Sequence, residues 1–189
     1  RVCAATDLAE WRPACRGLLA AGVPPGDVTF AAEPTLFAAE EPRPATATHH
    51  VPKAFVPLAE AVARHRDPAR WGRLYRAVWR LTHGEPHLLD LATDPDVLWL
   101  LRAEKAVRRD AHKMKAFVRF RAVGDHFVAW HRPDHFIVRA VAPFFRRRFP
   151  AMHWTVLTPD ESGTGDGDAL RFGPGVPASA APPPDVLED

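Results

Sequence analysis

The sequence predicts an α+β fold, in which an N-terminal helical part is followed by a small antiparallel sheet with one inserted helix. Apolar residues recur at helical spacing in several stretches between residues 7 and 115, and alternation with a period of two begins near residue 117. The order of these patterns, helices first and strands afterwards, is typical of the α+β class. The 189 residues, 47% of them hydrophobic, suffice for a single module, which we expect over residues 1–172.

Helices are predicted through the first part of the chain. Thr6 or Asp7, with Glu10 three residues after the aspartate, forms a capping-box pattern that begins the first helix, and Gly22 ends it. Residues 31–57 are rich in Ala, Pro and Glu without a clean period, which indicates a surface excursion. Further helices are expected at residues 55–64, 68–82, 88–92 and 94–115.

Strand patterns dominate the later part of the chain. Residues 117–121 and 127–130 flank Val123-Gly124-Asp125 and predict a β-hairpin, in which alternation places Arg119 and Arg121 on one face. A helix is expected from Pro133 or Asp134 to Arg148. Two more strands are expected at residues 154–158 and 169–172, joined by a Gly/Asp loop at 163–167, and residues 173–189 are typical of a Pro-rich linker.

Charge is distributed unevenly along the chain. Residues 102–148 carry 13 Lys or Arg and four acidic residues, whereas residues 149–189 carry one Arg and seven acidic residues. Because repulsion among the excess cations costs free energy, this block predicts an anionic partner such as a nucleic acid. A solvated basic face is the alternative, and only four of the 25 basic residues are lysine, which is typical of a general arginine bias.

The densest basic cluster lies at residues 112–121. Met114, Phe117 and Phe120 are expected to anchor the backbone beneath its cations, which would then track a phosphate backbone rigidly. A packed junction with solvated cations is one alternative, and an enzyme that uses His112 as a general acid or base is another. The candidate nucleic-acid-binding residues are Arg109, His112, Lys113, Lys115, Arg119, Arg121, Arg146 and Arg147.

Several classes of site are excluded by motif and composition. The sequence contains no phosphate-binding loop, nucleophile elbow or metalloprotease helix, and two cysteines are too few for a disulfide framework or an iron-sulfur cluster. His126, His131 and His135 with Asp134 are the only clustered metal-ligand types; they fall in separate predicted elements, so no metal site is expected. No apolar run is long enough to span a membrane, and the chain is expected to be cytoplasmic. Because it opens on an arginine, it is expected to be a piece of a longer polypeptide.

Four motifs in order carry a family resemblance. They are HKMKAFVRFR at 112–121, AWHRPDHFIVRAVAPFFRRRF at 129–149, MHWTVLTPDES at 152–162 and DGDALRFGPG at 166–175. Over about residues 2–175 the chain resembles an uncharacterised bacterial family labelled probable DNA metabolism protein. One departure is Gly165, where that family usually carries a tryptophan.

The resemblance implies a DNA-repair context. Members of that family occur alone, beside a radical-SAM protein of DNA modification or repair, or fused in front of a UdgX-type uracil-DNA glycosylase, and WTVLTPD and FGPG look most like the fused branch. The implied function is a non-catalytic N-terminal module that contributes DNA binding, with the fused glycosylase or the radical-SAM protein as partners. An iron-sulfur cluster and uracil excision are expected only in a downstream domain, so no cofactor is expected in this segment. A module that docks an acidic protein, or a nucleic-acid-processing enzyme, is the alternative.

Overall fold

The computed structural model describes residues 1–31 and 49–180, and it divides into two compact units. Unit 1 comprises residues 1–106, and unit 2 begins at Val107. Helices precede a sheet along the chain, which confirms the α+β class. In the part of the chain described, no helix combines the length and the apolarity that a membrane span needs.

Unit 1 is a small helical unit with one pair of short strands. Its core is built from the apolar faces of the helices, with Trp11, Leu18, Leu74 and Tyr75 almost completely buried. The strands β1 and β2 pair in parallel. The elements are β1 (Val2–Ala4), α1 (Leu8–Ala20), β2 (Thr29–Ala31), α2 (Phe55–Val62), α3 (Arg70–Thr82) and the first half of α4 (Pro95–Phe117).

The start of α1 has the hydrogen bonds that the sequence predicts. The Asp7 side chain accepts from the backbone N–H of Glu10 at 2.9 Å, and the Glu10 carboxylate accepts from the Thr6 N–H at 2.9 Å and from its hydroxyl at 2.7 Å. At the other end, the N–H of Val23 donates to the Leu18 carbonyl while Gly22 adopts φ of 63°. A left-handed residue at this position favours glycine, so both predicted ends are confirmed.

An arginine network holds the start of α4. The Arg80 guanidinium donates to the carboxylates of Glu85, Asp94 and Asp96 at 2.7–2.9 Å. Asp94 also accepts from the backbone N–H groups of Asp96 and Val97, which are otherwise unpaired at a helix start. The hydrogen bonds from Arg80 lower the pKa of Asp94 to about 2 and its partners raise the pKa of Arg80.

Unit 2 packs the second half of α4 and the helix α5 on one face of a five-stranded sheet. The spatial order is β3-β4-β5-β6-β7. The strands β4 and β5 are parallel because α5 connects them as a crossover, whereas the other neighbours are antiparallel. The expectation of a purely antiparallel sheet is therefore wrong. The elements are β3 (Arg121–Val123), β4 (His126–Trp130), α5 (Val138–Arg148), β5 (Trp154–Leu157), β6 (Glu161–Asp166) and β7 (Ala169–Pro174).

An aromatic cluster forms the core of unit 2. The Phe120 ring lies 5.4 Å from Phe145, 5.7 Å from Phe149 and 5.9 Å from Trp154, measured between ring centroids. Met114 of α4 and Ile137 are almost completely buried in the same core. The predicted anchoring role of Met114 and Phe120 is thus confirmed.

The predicted hairpin begins later than its pattern indicates. The helix α4 continues through Phe117, and β3 begins only at Arg121, so the expected strand at 117–121 is wrong. Lys, Met and Ala favour helix, and they carry α4 past the point where alternation begins. The turn at Gly124, with φ of 64°, matches the prediction.

The Gly-rich stretch at 163–167 is also different from expectation. Residues 161–166 form β6, and only Gly167 lies in the turn, with φ of 55°. A Cβ on Gly163 would lie 3.0 Å from Val138 Cγ1, and one on Gly165 would overlap the Trp154 ring. These glycines therefore make room for side chains of the core, within a strand.

Other boundaries shift by a few residues. The helix α5 begins at Val138, several residues after the expected start, and β7 continues through Pro174 into the segment expected as a linker. Val176 also donates its N–H to the Thr158 carbonyl. Residues 55–57 of the expected surface excursion belong to α2, and residues 32–48 lie outside the described residues.

Candidate nucleic-acid interface

The C-terminal half of α4 presents a basic stripe. Val107 and Met114 are 4% and 1% exposed and face the core of unit 2, whereas Arg109 and His112 are exposed on the other side of the helix. The 3.6-residue period of the helix separates the two faces, as the spacing in the sequence predicts. Neither Arg109 nor His112 has a hydrogen-bond or ion-pair partner within residues 1–31 and 49–180.

The two lysines lie on opposite flanks of this stripe. The Lys113 Nζ atom is 3.9 Å from an Asp134 carboxylate oxygen, and 45% of the lysine side chain is exposed. The Lys115 Nζ atom is 5.5 Å from the centre of the Phe144 ring on α5. Lys113 is therefore loosely paired with the segment before α5 and Lys115 lies beside α5, and both side chains stay accessible to solvent.

Two of the candidate arginines lie at the end of α5, and only Arg146 has a hydrogen-bond partner among the described residues. Arg147 is exposed and has no ion pair among the described residues. The Arg146 guanidinium instead donates to the backbone carbonyl of Asp168 at 2.8 Å. The candidate Arg146 is thus directed at the β6–β7 turn. We call Arg109, His112, Lys113, Lys115 and Arg147 the basic patch; all five lie in the helix layer of unit 2.

Arg119 and Arg121 do not share a face. The Arg119 guanidinium donates to the carbonyl of Ala116 at 2.9 Å, at the C-terminal end of α4. Arg121 pairs in register with Val128, whose neighbours in β4 face the helices, so alternation puts Arg121 on the opposite face of the sheet. The expected pair is therefore divided, because only Arg121 belongs to a strand.

Two acidic residues of β6 pair with basic residues outside the basic patch. A Glu161 carboxylate oxygen is 2.6 Å from Arg139 Nη2 and accepts from its Nε at 2.7 Å. Asp166 lies 3.2 Å from the His153 ring nitrogen Nδ1. Within the described residues, Glu161 of the acidic block after residue 149 therefore pairs with Arg139 of α5, and Asp166 pairs with His153.

The histidine cluster serves the fold locally. His126 Nε2 and the Thr155 hydroxyl form a hydrogen bond of 2.8 Å across two strands, and the backbone N–H of His135 donates to Asp110 at 2.9 Å. Burial lowers the pKa of His131, and the charges of Asp110 and Asp134 oppose that shift. No group of three or more metal-ligand types is arranged to hold an ion in the part of the chain that the structure describes.

Arg148, which is not among the candidates, also reaches the surface of unit 2 beside Arg147. Arg148 is exposed, with its guanidinium 5.5 Å from the centre of the Phe149 ring. The run Arg146-Arg147-Arg148 is the signal for it, although periodicity alone does not tell which of the three remains accessible.

A family model matches residues 68–169, more than half of the 189 residues. The chain belongs to the family DUF4130, described as a domain of unknown function. The DUF4130 match begins just before α3, ends at the first residue of β7 and includes the whole basic patch. No curated protein and no solved structure matches the chain.

Proposed function

We propose that this DUF4130 chain is a DNA-binding accessory module of a DNA-repair protein, and that the basic patch contacts the phosphate backbone. The observation that carries the proposal is the separation of charges within unit 2. Arg109, His112 and Arg147 are exposed without ion pairs among the described residues, whereas Glu161 and Asp166 are paired elsewhere. An unneutralised cationic surface on packed helices is what a polyanion requires.

The basic patch is organised for phosphate contacts. Its residues project from two helices whose buried faces share the core of unit 2, so the backbone beneath the cations is fixed. The Lys113–Asp134 contact is long and exposed, and such pairs contribute only about 0–1 kcal/mol, so a phosphate would replace the carboxylate at small cost. Release of counterions from DNA would then drive binding.

The resemblance to the family labelled probable DNA metabolism protein supports the repair context. In this proposal the chain is the non-catalytic N-terminal module of a UdgX-type uracil-DNA glycosylase, and its partners are DNA and either the fused glycosylase or a radical-SAM repair protein in the cytoplasm. Any iron-sulfur cluster belongs to the downstream domain. The chain incubated with uracil-containing DNA should bind it and release no product; product formation would contradict the non-catalytic role.

Fluorescence anisotropy with a labelled duplex tests the DNA contact. The variants are Arg109→Gln, Lys113→Gln and Arg147→Gln, and each should lower the slope of log affinity against log salt by about 0.9, independently of sequence. Arg171→Gln is the matched control. This exposed arginine lies opposite Thr164 in the strand register, on the sheet face that points away from the helices. No binding at about 50 mM salt, or an equal loss in the control, would contradict the proposal.

A further inference from the structure

Phe117 is exposed where the sequence predicts an anchor. Its side chain is 67% exposed, more than the other large exposed hydrophobic residues of the described chain, which are Val56, Leu91, Leu101, Val123 and Phe136. Phe120 occupies the core position instead, in contact with Phe145 and Trp154. The expected burial of Phe117 is wrong, because α4 continues through this residue and directs it away from the core.

Two basic residues lie close to Phe117 along the chain. Lys113 precedes Phe117 by four residues on the same side of α4, and helical side chains lean back over the preceding turn. Arg119 follows it, with a guanidinium fixed against the Ala116 carbonyl. Along the chain, the acids nearest to Phe117 are Asp110, which is 4% exposed and accepts from the N–H of His135, and Asp125, which is exposed in the turn between β3 and β4.

The exposed ring of Phe117 and the basic residues near it indicate which class of ligand would bind there. An exposed aromatic ring with basic residues beside it in the sequence fits a ligand that offers both a flat aromatic face and a negative charge, and a nucleotide offers these as its base and its phosphate. A lipid surface requires a broad apolar face, and here the flanking positions of the helix carry lysine and alanine. The core of a protein interface is depleted in lysine, and Lys113 and Lys115 precede Phe117 on the same helix.

We infer that Phe117 stacks on an unpaired base, so that the chain prefers single-stranded DNA or an unpaired stretch over a continuous duplex. Bases inside a duplex are covered on both faces by their neighbours, whereas an unpaired base leaves a face for the ring. The inference rests on the proposed function and adds the substrate class to it. The phosphates on either side of the stacked base would contact Lys113 and Arg119.

The test compares single-stranded and duplex DNA of the same sequence, about 15 nucleotides long, by anisotropy with the full chain. Wild type should bind the single strand more tightly. Phe117→Leu should weaken binding to the single strand about 5- to 150-fold, the range of one base stacked on an aromatic ring, and leave duplex affinity within about twofold. Phe117→Trp should restore single-strand affinity, and the salt slope should not change in either variant because no charge is altered.

Leu91→Ala is the control, since it removes an exposed apolar side chain of unit 1 and should change neither affinity. Thermal unfolding of Phe117→Leu should match wild type because the ring is exposed. Equal single-strand affinities for wild type and Phe117→Leu, or a loss that Phe117→Trp does not restore, would overturn the stacking role. Wild type that binds duplex as well as single strand would overturn the substrate class while the proposed function stands. Wild type that binds neither DNA would overturn the proposed function itself, and the stacking inference with it.

Discussion

Arginine side chains are used differently in the helix contacts of unit 1 and in the basic patch of unit 2. In unit 1, Arg70, Arg76 and Arg80 donate to carbonyl or carboxylate oxygens of the same unit. In unit 2, Arg109 and Arg147 are exposed and have no such partner among the residues described. The comparison teaches that the number of arginines in a segment does not identify a binding surface. What identifies it is whether the fold already occupies the guanidinium groups.

The largest effect is expected for Arg80→Met. The change leaves the carboxylates of Glu85, Asp94 and Asp96 without their common cation, and the free energy of unfolding should fall by about 2 kcal/mol. The cost is below that of a fully buried pair because the Arg80 side chain retains 23% exposure. DNA affinity should not change. Urea denaturation measures the free energy of unfolding, and anisotropy measures the DNA affinity. A loss of DNA affinity in the folded variant would contradict the assignment of DNA binding to unit 2 alone.

The next effect is a pH dependence in unit 1. Asp94 has a pKa of about 2 against an ordinary value of 3.8, so its ionised form stabilises the fold above that ordinary value. This contribution is lost as the pH falls from about 4 through 2, because the folded protein must then bind the proton at a lower pH than the unfolded chain. Urea denaturation at several pH values should show a steep loss in wild type. The free energy of unfolding of Arg80→Met should fall less over the same pH range. Identical pH dependence in the two proteins would exclude the Arg80 network as the cause.

A smaller effect separates two neighbouring arginines in unit 2. Arg146→Gln removes the hydrogen bond to the Asp168 carbonyl and should lower the free energy of unfolding by about 1 kcal/mol. Arg147→Gln should leave stability unchanged and reduce DNA affinity. Chemical denaturation and anisotropy on both variants check this opposition. If Arg146→Gln loses DNA affinity and keeps its stability, Arg146 contacts DNA as the sequence predicts, and the proposed difference between the two arginines is wrong.

The smallest effect is expected where cations are most accessible. The double variant Arg109→Gln with Lys113→Gln should stay within about 0.5 kcal/mol of the wild-type free energy of unfolding, because exposed charges contribute little to stability. Its melting temperature, measured by circular dichroism, should match wild type. A loss of more than about 1 kcal/mol would show that these cations serve the fold and would remove the contrast with unit 1.

The sequence predicts the basic stripe of α4 well because helical spacing alone decides it. Val107 and Met114 recur with the period of a helix, and Arg109 and His112 on the other side are exposed once that face is buried. The same argument fails after Lys115, where five residues with a period of two compete with the helix propensity of the preceding segment. The residue at which α4 ends therefore determines that Phe117 is exposed and that Phe120 packs in the core. The packing of Phe120 in turn determines where the helix ends.

Glycine in a strand is the other case that the sequence does not resolve. Gly163 and Gly165 have turn-like composition, and they are tolerated in β6 because Val138 and Trp154 occupy the space of the missing side chains. Those partners come from α5 and β5, so no local pattern reports them.

The boundary between the units falls inside α4, and this has a practical consequence for fragment design. The first backbone N–H groups of the helix donate to the carboxylate of Asp94 in unit 1. The same helix carries most of the basic patch in unit 2. A fragment that starts at Val107 would retain only the last 11 residues of α4, without a cap, and a helix of that length is marginal in water unless packing supports it. For NMR or crystallisation, a fragment that is meant to preserve the geometry of the patch should therefore contain Asp94 and the whole of α4.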